Sequence, residues 1–307
     1  MARETMRPVG MALVRLCKSS RLRRVAGGLL VAFVLIGVVF PLACSDRLTY
    51  WPKHDGDWDA RLHTPYKIDE VTIPAHNANI VGWYLQQPTD PHAVLLYLHG
   101  NTGDIARRIG RIQAYGSVGW NVLMIDYPGY GRSSGRPSEE GCRNAAFAAC
   151  GWLLRQGYPR HQIAVLGESL GTGPAVELAA AQMLAGGSMV GALILQSPYT
   201  STPAVLHERV PFMPWDHFML TRFDNLSRIT DVTVPITIFA GEMDDEIPFH
   251  QSKELFDAAP QPKTFIDFPD ADHKNLFLRH RAEYLTALKR VFLQVQNATD
   301  PVIPDYF

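Results

Sequence analysis

A serine hydroxyl attacks a carbonyl only when a base takes its proton and a further group orients that base. The chain offers such residues at the ends of successive apolar runs. Ser169 stands in Gly167-Glu168-Ser169-Leu170-Gly171, between the apolar run 163–167 and a helix-compatible stretch that opens at Thr172. A G-x-S-x-G on a strand-to-helix turn lifts the hydroxyl above a sheet, because glycines permit a sharp, closely packed turn. Gly131-Arg132-Ser133-Ser134-Gly135 matches the same pattern, but it follows the turn-forming 126–130, and Pro137 and Ser138 delay the next helical stretch. It reads as a glycine-rich loop at a strand end. Of the eleven histidines, His273 is the leading base. It lies in the polar Asp270-Ala271-Asp272-His273 after the last apolar run, whereas His250 and His280 fall in helical patterns and His99 precedes Gly100. The orienting acid is expected in 241–248, after the seventh run, where Asp244 leads and Asp245 is the alternative. Without a role in catalysis that cluster would be a solvated acidic loop.

Acyl transfer also needs N–H donors aimed at the developing oxyanion. The amide of Leu170, directly after the serine, is one candidate; the amide of Asn101, in the glycine-containing stretch 98–103 after the third run, is the other. That stretch holds neither G-x-x-x-x-G-K-[ST] nor G-x-G-x-x-G, so it does not read as a phosphate cradle. No metal or organic cofactor is implied. The four cysteines, Cys17, Cys44, Cys142 and Cys150, include no C-x-x-C pair, and on one helix Cys142 and Cys150 would stand about 12 Å apart, too far for a disulfide.

These residues need elements to hold them. Short apolar runs at 67–73, 80–86, 93–99, 121–126, 163–167, 192–196, 235–240 and 263–268 read as strands, the first two alternating with polar residues as an antiparallel edge hairpin, the later ones almost wholly apolar, as strands buried on both faces should be. Helical patterns at 105–115, 139–154, 170–183, 251–257 and 276–294 separate the later runs. Strand followed by helix, repeated, predicts an α/β fold with one doubly wound, mostly parallel sheet of about eight strands. In such a sheet ligands bind at the carboxyl ends of the strands, where the residues above are found.

Seven motifs in order, His99-Gly100-Asn101, Asp126-Tyr127-Pro128-Gly129-Tyr130-Gly131-Arg132-Ser133, Gly167 to Gly173, Ser197-Pro198-Tyr199-Thr200-Ser201, Phe223-Asp224-Asn225, Gly241 to Asp244, and His273, resemble the α/β-hydrolase superfamily. More narrowly they resemble its compact abhydrolase-domain group of membrane-associated serine hydrolases. The resemblance covers 67–293 and implies an α/β-hydrolase fold with the triad Ser169, Asp244 and His273, the serine preceding the acid and the acid preceding the histidine. The group includes protein depalmitoylases and lipid esterases. Two features depart from it: Asp272 stands where the family often has glycine before its histidine, and the acylated cysteine-rich segment of the eukaryotic depalmitoylases is missing.

The amino terminus carries a different signal. Arg3, Arg7, Arg15, Lys18, Arg21, Arg23 and Arg24 precede the uncharged run 25–44, which at helical rise spans about 30 Å, the thickness of a bilayer core. Positive charge before the run and little after it predicts a single-pass membrane anchor with the terminus cytoplasmic and the catalytic domain on the opposite side. Cleavage before Ser45, or lipidation at Cys44, are the competing fates. Over the whole chain the formal net charge of -1 argues against nucleic acid as a partner, and apolar and charged fractions of 47% and 19% are those of an ordinary globular chain.

The resulting division is a basic segment 1–24, an anchor 25–44, a connection 45–65, a hydrolase domain 66–296 with a lid at 201–224, and a tail 297–307. Nothing in the sequence signals an oligomeric state. Phe212 and Trp215 in the apolar, aromatic lid are expected either to pack on the sheet or to wall an acyl-binding cleft. The leading function is hydrolysis of carboxylic esters or thioesters through an acyl-enzyme, with a small-molecule or acylated substrate. A serine peptidase on the same fold is the second reading, and a non-catalytic binding module the third.

Overall fold

A computed structural model describes residues 50–299 except 90–91 and 183–186, together with 24, 25, 27–29, 31, 47 and 49. Most of the expected anchor 25–44, nearly all of the basic segment 1–24, Cys17, Cys44 and the end of the tail 297–307 lie outside the described residues. Among the described residues no helix is long and apolar enough to cross a membrane.

The apolar runs form β1 (Ile68–Ala75), β2 (Ala78–Leu85), β3 (Val94–Leu98), β4 (Asn121–Ile125), β5 (Ile163–Glu168), β6 (Ala192–Gln196), β7 (Ile236–Gly241) and β8 (Lys263–Phe268). They make one sheet in the order β8-β7-β6-β5-β3-β4-β2-β1. β2 runs antiparallel to β1, through a turn at His76 and Asn77, and to β4. Every other pairing is parallel. The helices α1 (Ile109–Val118), α2 (Glu139–Arg155), α3 (Thr172–Ala180), α4 (Thr202–Arg209), α5 (Phe249–Ala258) and α6 (Arg281–Gln296) follow the strands as crossovers or cover them.

The continuous apolar runs have a direct cause. Successive side chains of β3 point to opposite faces: Leu96 and Leu98 enter one core with α2 and α3 residues such as Cys150 and Val176. Leu95 and Tyr97 enter the other with Tyr115 and Leu288 from α1 and α6. A strand buried on both faces cannot alternate. This also corrects the expectation for β2, whose residues 80–85 are all buried. It is paired on both edges, and Trp58 and Trp152 cover its faces through edge-on contacts with Trp83 and Tyr84 at 5.6 and 5.1 Å. β8, expected to be buried, is instead half-exposed because it forms the far edge. The final helical pattern is broken at His280, whose Nε2 lies 2.7 Å from the Asp270 carboxylate.

Where the strand order reverses, β3 lies between β4 and β5. Leu98 of β3 is in register with Gly167 of β5, so the chain leaves both strands at the same level and side by side. This places the stretch from His99 to Gly103 against the turn that carries Ser169.

Candidate active site

β5 passes into α3 through a single 3-10 turn, Ser169–Gly171. Ser169 has φ 51, a left-handed conformation that costs a non-glycine residue about 1 kcal/mol or more. The flanking glycines serve another purpose. Gly171 has an ordinary φ of -62, but a Cβ there would overlap the Leu98 carbonyl, and one on Gly167 would overlap the Gly171 carbonyl. They are small because the turn is pressed onto β3.

The serine Oγ lies 3.0 Å from Nε2 of His273, and Nδ1 of His273 lies 2.8 Å from Oδ2 of Asp244. Since the carboxylate oxygen can only accept, Nδ1 carries the proton and Nε2 is left to accept from the serine. Asp244 is buried, and its Oδ1 accepts from the backbone N–H groups of Glu246 at 3.0 Å and Ile247 at 2.8 Å. Asp245 is exposed and stands outside this array. The acidic loop is tied to the histidine loop by the Met243 N–H, which donates to the Ala271 carbonyl at 3.1 Å. Asp272, where the family often has glycine, accepts from the Lys274 and Asn275 N–H groups at 2.8 and 2.9 Å. The side chain closes the turn locally and lets a non-glycine residue occupy it.

Burial acts to lower the His273 pKa, but its hydrogen bond to Asp244 and the charges of Asp244, Glu246 and Glu168 outweigh that and hold it above the ordinary histidine value. Glu246 Oε2 is 3.9 Å from Nε2, and its other oxygen pairs with Lys274 at 3.0 Å. Behind the serine, Glu168 is held by Arg111 at 2.9 Å and by the Tyr97 hydroxyl. Burial would raise the Glu168 pKa, yet the charges of Arg111 and Arg108 keep it below the usual carboxylate value. Motif reading missed this network, although Tyr97 on β3 and Arg111 on α1 both face the core that Glu168 borders.

Ser133 occupies a structural position. Its Oγ accepts from the Val81 N–H at 2.8 Å and donates to the Asp126 carbonyl at 2.9 Å, which joins the glycine-rich loop to β2. His250 pairs with Glu208 and His280 with Asp270. Neither lies in the array.

A cleft of about 90 Å³ opens over Ser169, with Asn101 and Leu170 on its lining. The lid contributes to it differently from expectation. Val205 and Leu206 of α4, with Met219 and Ile247, form the apolar wall, while Arg209 and Glu246 supply charge. Phe212, at the tip of the turn 210–214, is 85% exposed and off the cleft. Trp215 is buried within the lid, its Nε1 donating to the Val210 carbonyl at 3.0 Å, and it too is absent from the lining. The prolines Pro211 and Pro214 flank the turn that throws Phe212 outward. Thr49, from the connection preceding the sheet, also lines the cleft, which the composition of 45–65 gave no means of foreseeing.

Comparison with known proteins places this geometry in a family. Residues 93–226 match the family model of the alpha/beta hydrolase fold. An uncharacterized protein of Mycobacterium tuberculosis is 33% identical over 264 residues, which is 85% of this chain and 92% of that protein. The lysophosphatidylserine lipase ABHD12 of Mus musculus is 30% identical over 241 residues, 71% of this chain but only 59% of the mouse protein. The Pyrococcus furiosus esterase Pf2001 superimposes with a TM-score of 0.63 over 80% of this chain and 97% of its own, at 20% identity, a likeness of fold alone. The chain belongs to the α/β-hydrolase superfamily and, within it, to an abhydrolase-domain group.

Proposed function

We propose that the chain is a serine hydrolase that cleaves carboxylic esters or thioesters of acyl groups through an acyl-enzyme on Ser169. The observation that carries this is the unbroken line from Ser169 Oγ to His273 Nε2 at 3.0 Å and from His273 Nδ1 to Asp244 Oδ2 at 2.8 Å. In this scheme Oγ bonds to the acyl carbon as Nε2 takes its proton, and the Asn101 and Leu170 amides receive the oxyanion. The bond to the leaving oxygen or sulfur then breaks as Nε2 returns the proton to it. Water repeats the sequence and releases the acid. Asp244 orients the ring and stabilises the imidazolium. The lipase and esterase names among similar proteins support ester substrates, and the apolar wall of Val205, Leu206, Met219 and Ile247 supports an acyl group beside Ser169. We further propose that 25–44 anchors the chain in a membrane, with the terminus cytoplasmic and the catalytic domain across it.

A fluorophosphonate probe should label the wild-type protein and Ser133→Ala, and labelling should vanish in Ser169→Ala. Labelled Ser169→Ala protein would remove the nucleophile assignment.

His273 must be neutral to take the proton, so kcat/KM should fall as pH drops through its raised pKa, with a midpoint above that of an ordinary histidine. Glu246→Gln removes one of the charges that raise it and should move the acid limb to lower pH. A limb unmoved by Glu246→Gln would contradict the electrostatic account.

A cavity of 150 Å³ takes the six carbons of benzene, so one of about 90 Å³ takes about three or four. Each buried methylene contributes about 0.8 kcal/mol, or roughly fourfold. p-Nitrophenyl esters should therefore gain about fifteenfold in kcat/KM from acetyl to butyryl. Leu206→Ala or Met219→Ala should flatten that rise and Phe212→Ala should leave it; a preference for acetyl would refute the acyl wall.

Mass spectrometry of the membrane-extracted chain should recover sequence from before Val25. A mature terminus at Ser45, or a lipidated one at Cys44, would replace the anchor by a cleaved signal or a lipoprotein.

A further inference from the structure

His99 and Asp126 have no part in the proton path from Ser169, yet both are wholly buried beside it. Gly100 follows His99 and runs directly against the nucleophile: a Cβ on it would stand 3.4 Å from Ser169 Cβ and 3.9 Å from Oγ. The carbonyl of Gly100 lies 2.6 Å from His99 Nδ1. A carbonyl only accepts, so Nδ1 donates to it. In a trans peptide the C=O and the following N–H point in opposite directions. The bond that fixes the Gly100 carbonyl thus also fixes the direction of the Asn101 N–H.

The far side of the ring is held as firmly. His99 Nε2 lies 3.2 Å from Asp126 Oδ1, off the line of a well-aligned hydrogen bond but within ion-pair reach. The same oxygen accepts from the Ile105 N–H at 3.0 Å. Tyr127 and Tyr130 pack on the imidazole with ring centroids at 4.5 and 5.2 Å. Their hydroxyls bind the carbonyls of His99 at 2.9 Å and Asn101 at 2.8 Å. Gly131 completes the enclosure, since a Cβ there would overlap the other oxygen of Asp126. The loop 126–131 therefore wraps one imidazole whose outward nitrogen grips the peptide ahead of Asn101.

We propose that His99 and Asp126 are positioning residues for oxyanion binding: the buried pair turns the Gly100–Asn101 peptide so that the Asn101 N–H faces the oxyanion formed at Ser169. The proposal rests on acyl transfer at Ser169 and adds to it the device that aims one of the two donors. Burial pushes the Asp126 carboxyl above its ordinary value, while its contact with His99 pulls it down.

The test separates aim from folding. Full-length protein in detergent is titrated with fluorophosphonate to count active sites, and turnover of p-nitrophenyl butyrate is expressed per titrated site. His99→Leu should lower kcat about ten- to hundredfold, short of the loss on deleting an oxyanion donor outright, with KM changed less than about threefold. The affinity of a trifluoromethyl ketone, whose adduct carries the same oxyanion, should fall by the factor lost in kcat/KM. His99→Asn keeps an amide donor near the Nδ1 position and should recover most of the turnover, whereas His99→Gln, which reaches toward Asp126 instead, should not. If His99→Leu yields no titratable sites, the Asn and Gln variants decide the question alone. Unchanged kcat per titrated site in His99→Leu, or equal turnover of the Asn and Gln variants, overturns the proposal. Ser169→Ala run in parallel distinguishes the two failures, because residual turnover there defeats the nucleophile assignment itself.

Discussion

The contact between the carbonyl of Leu98 and the backbone of Gly171 governs the rest of the site. Parallel strands pair at a fixed spacing of about 4.8 Å, and with Leu98 opposite Gly167 the turn after β5 has no room to swing outward. It must fold directly over the end of β3. The small residues at 167 and 171 follow from that, as does the positive φ of Ser169, which is the conformation that reverses the chain within one residue. The strain of about 1–2 kcal/mol is offset by sheet pairing and helix packing on both sides. Ser169 and the His99 to Gly103 loop are brought together by strand register, before any side chain of the site makes a contact.

Three carboxylates act on one imidazole, and each is occupied differently. Asp244 is held by His273 and by two backbone N–H groups, which keep its carboxylate facing the ring. Glu246 is paired with Lys274 at the surface. Glu168 is bound by Arg111 and Tyr97 beneath the turn. Arg111 also lies 4.4 Å over the Phe277 ring, so the helix that follows the histidine loop is packed on the cation that holds Glu168.

Much of this was legible in the residues. All eight strands fall within two residues of the runs read from the sequence, the central ones because strands buried on both faces leave a nearly continuous apolar signal. Ser169, Asp244 and His273 were each found by asking which strand end they follow, and the structure brings those three together. Asp244 and Asp245 could not be separated from sequence, since burial decides between them and adjacent acids carry no mark of it. The lid was legible only in part for a related reason. Apolar content identified 201–224 as a region that packs, but which side chain faces the cleft depends on where Pro211 and Pro214 turn the chain. Phe212 therefore points to solvent and the less conspicuous Val205 and Leu206 line the wall.

The entry of the chain into the domain is more than a linker. Thr49 lines the cleft, the Tyr50 hydroxyl accepts from Thr221 Oγ1 at 3.2 Å, and Trp51–Pro52 pairs in parallel with Thr102–Gly103, the Trp51 N–H donating to the Asn101 carbonyl at 3.0 Å. Residues 49–52 are thus part of the folded domain. With the proposed anchor ending at residue 44, only residues 45–48 lie between it and Thr49, a span of at most about 17 Å when fully extended. A leash that short, stitched at its end to the loop beside the nucleophile, allows the domain little freedom to roll. On the proposed anchoring it would fix which side of the domain meets the lipid surface, so tethering would set an orientation as well as an address.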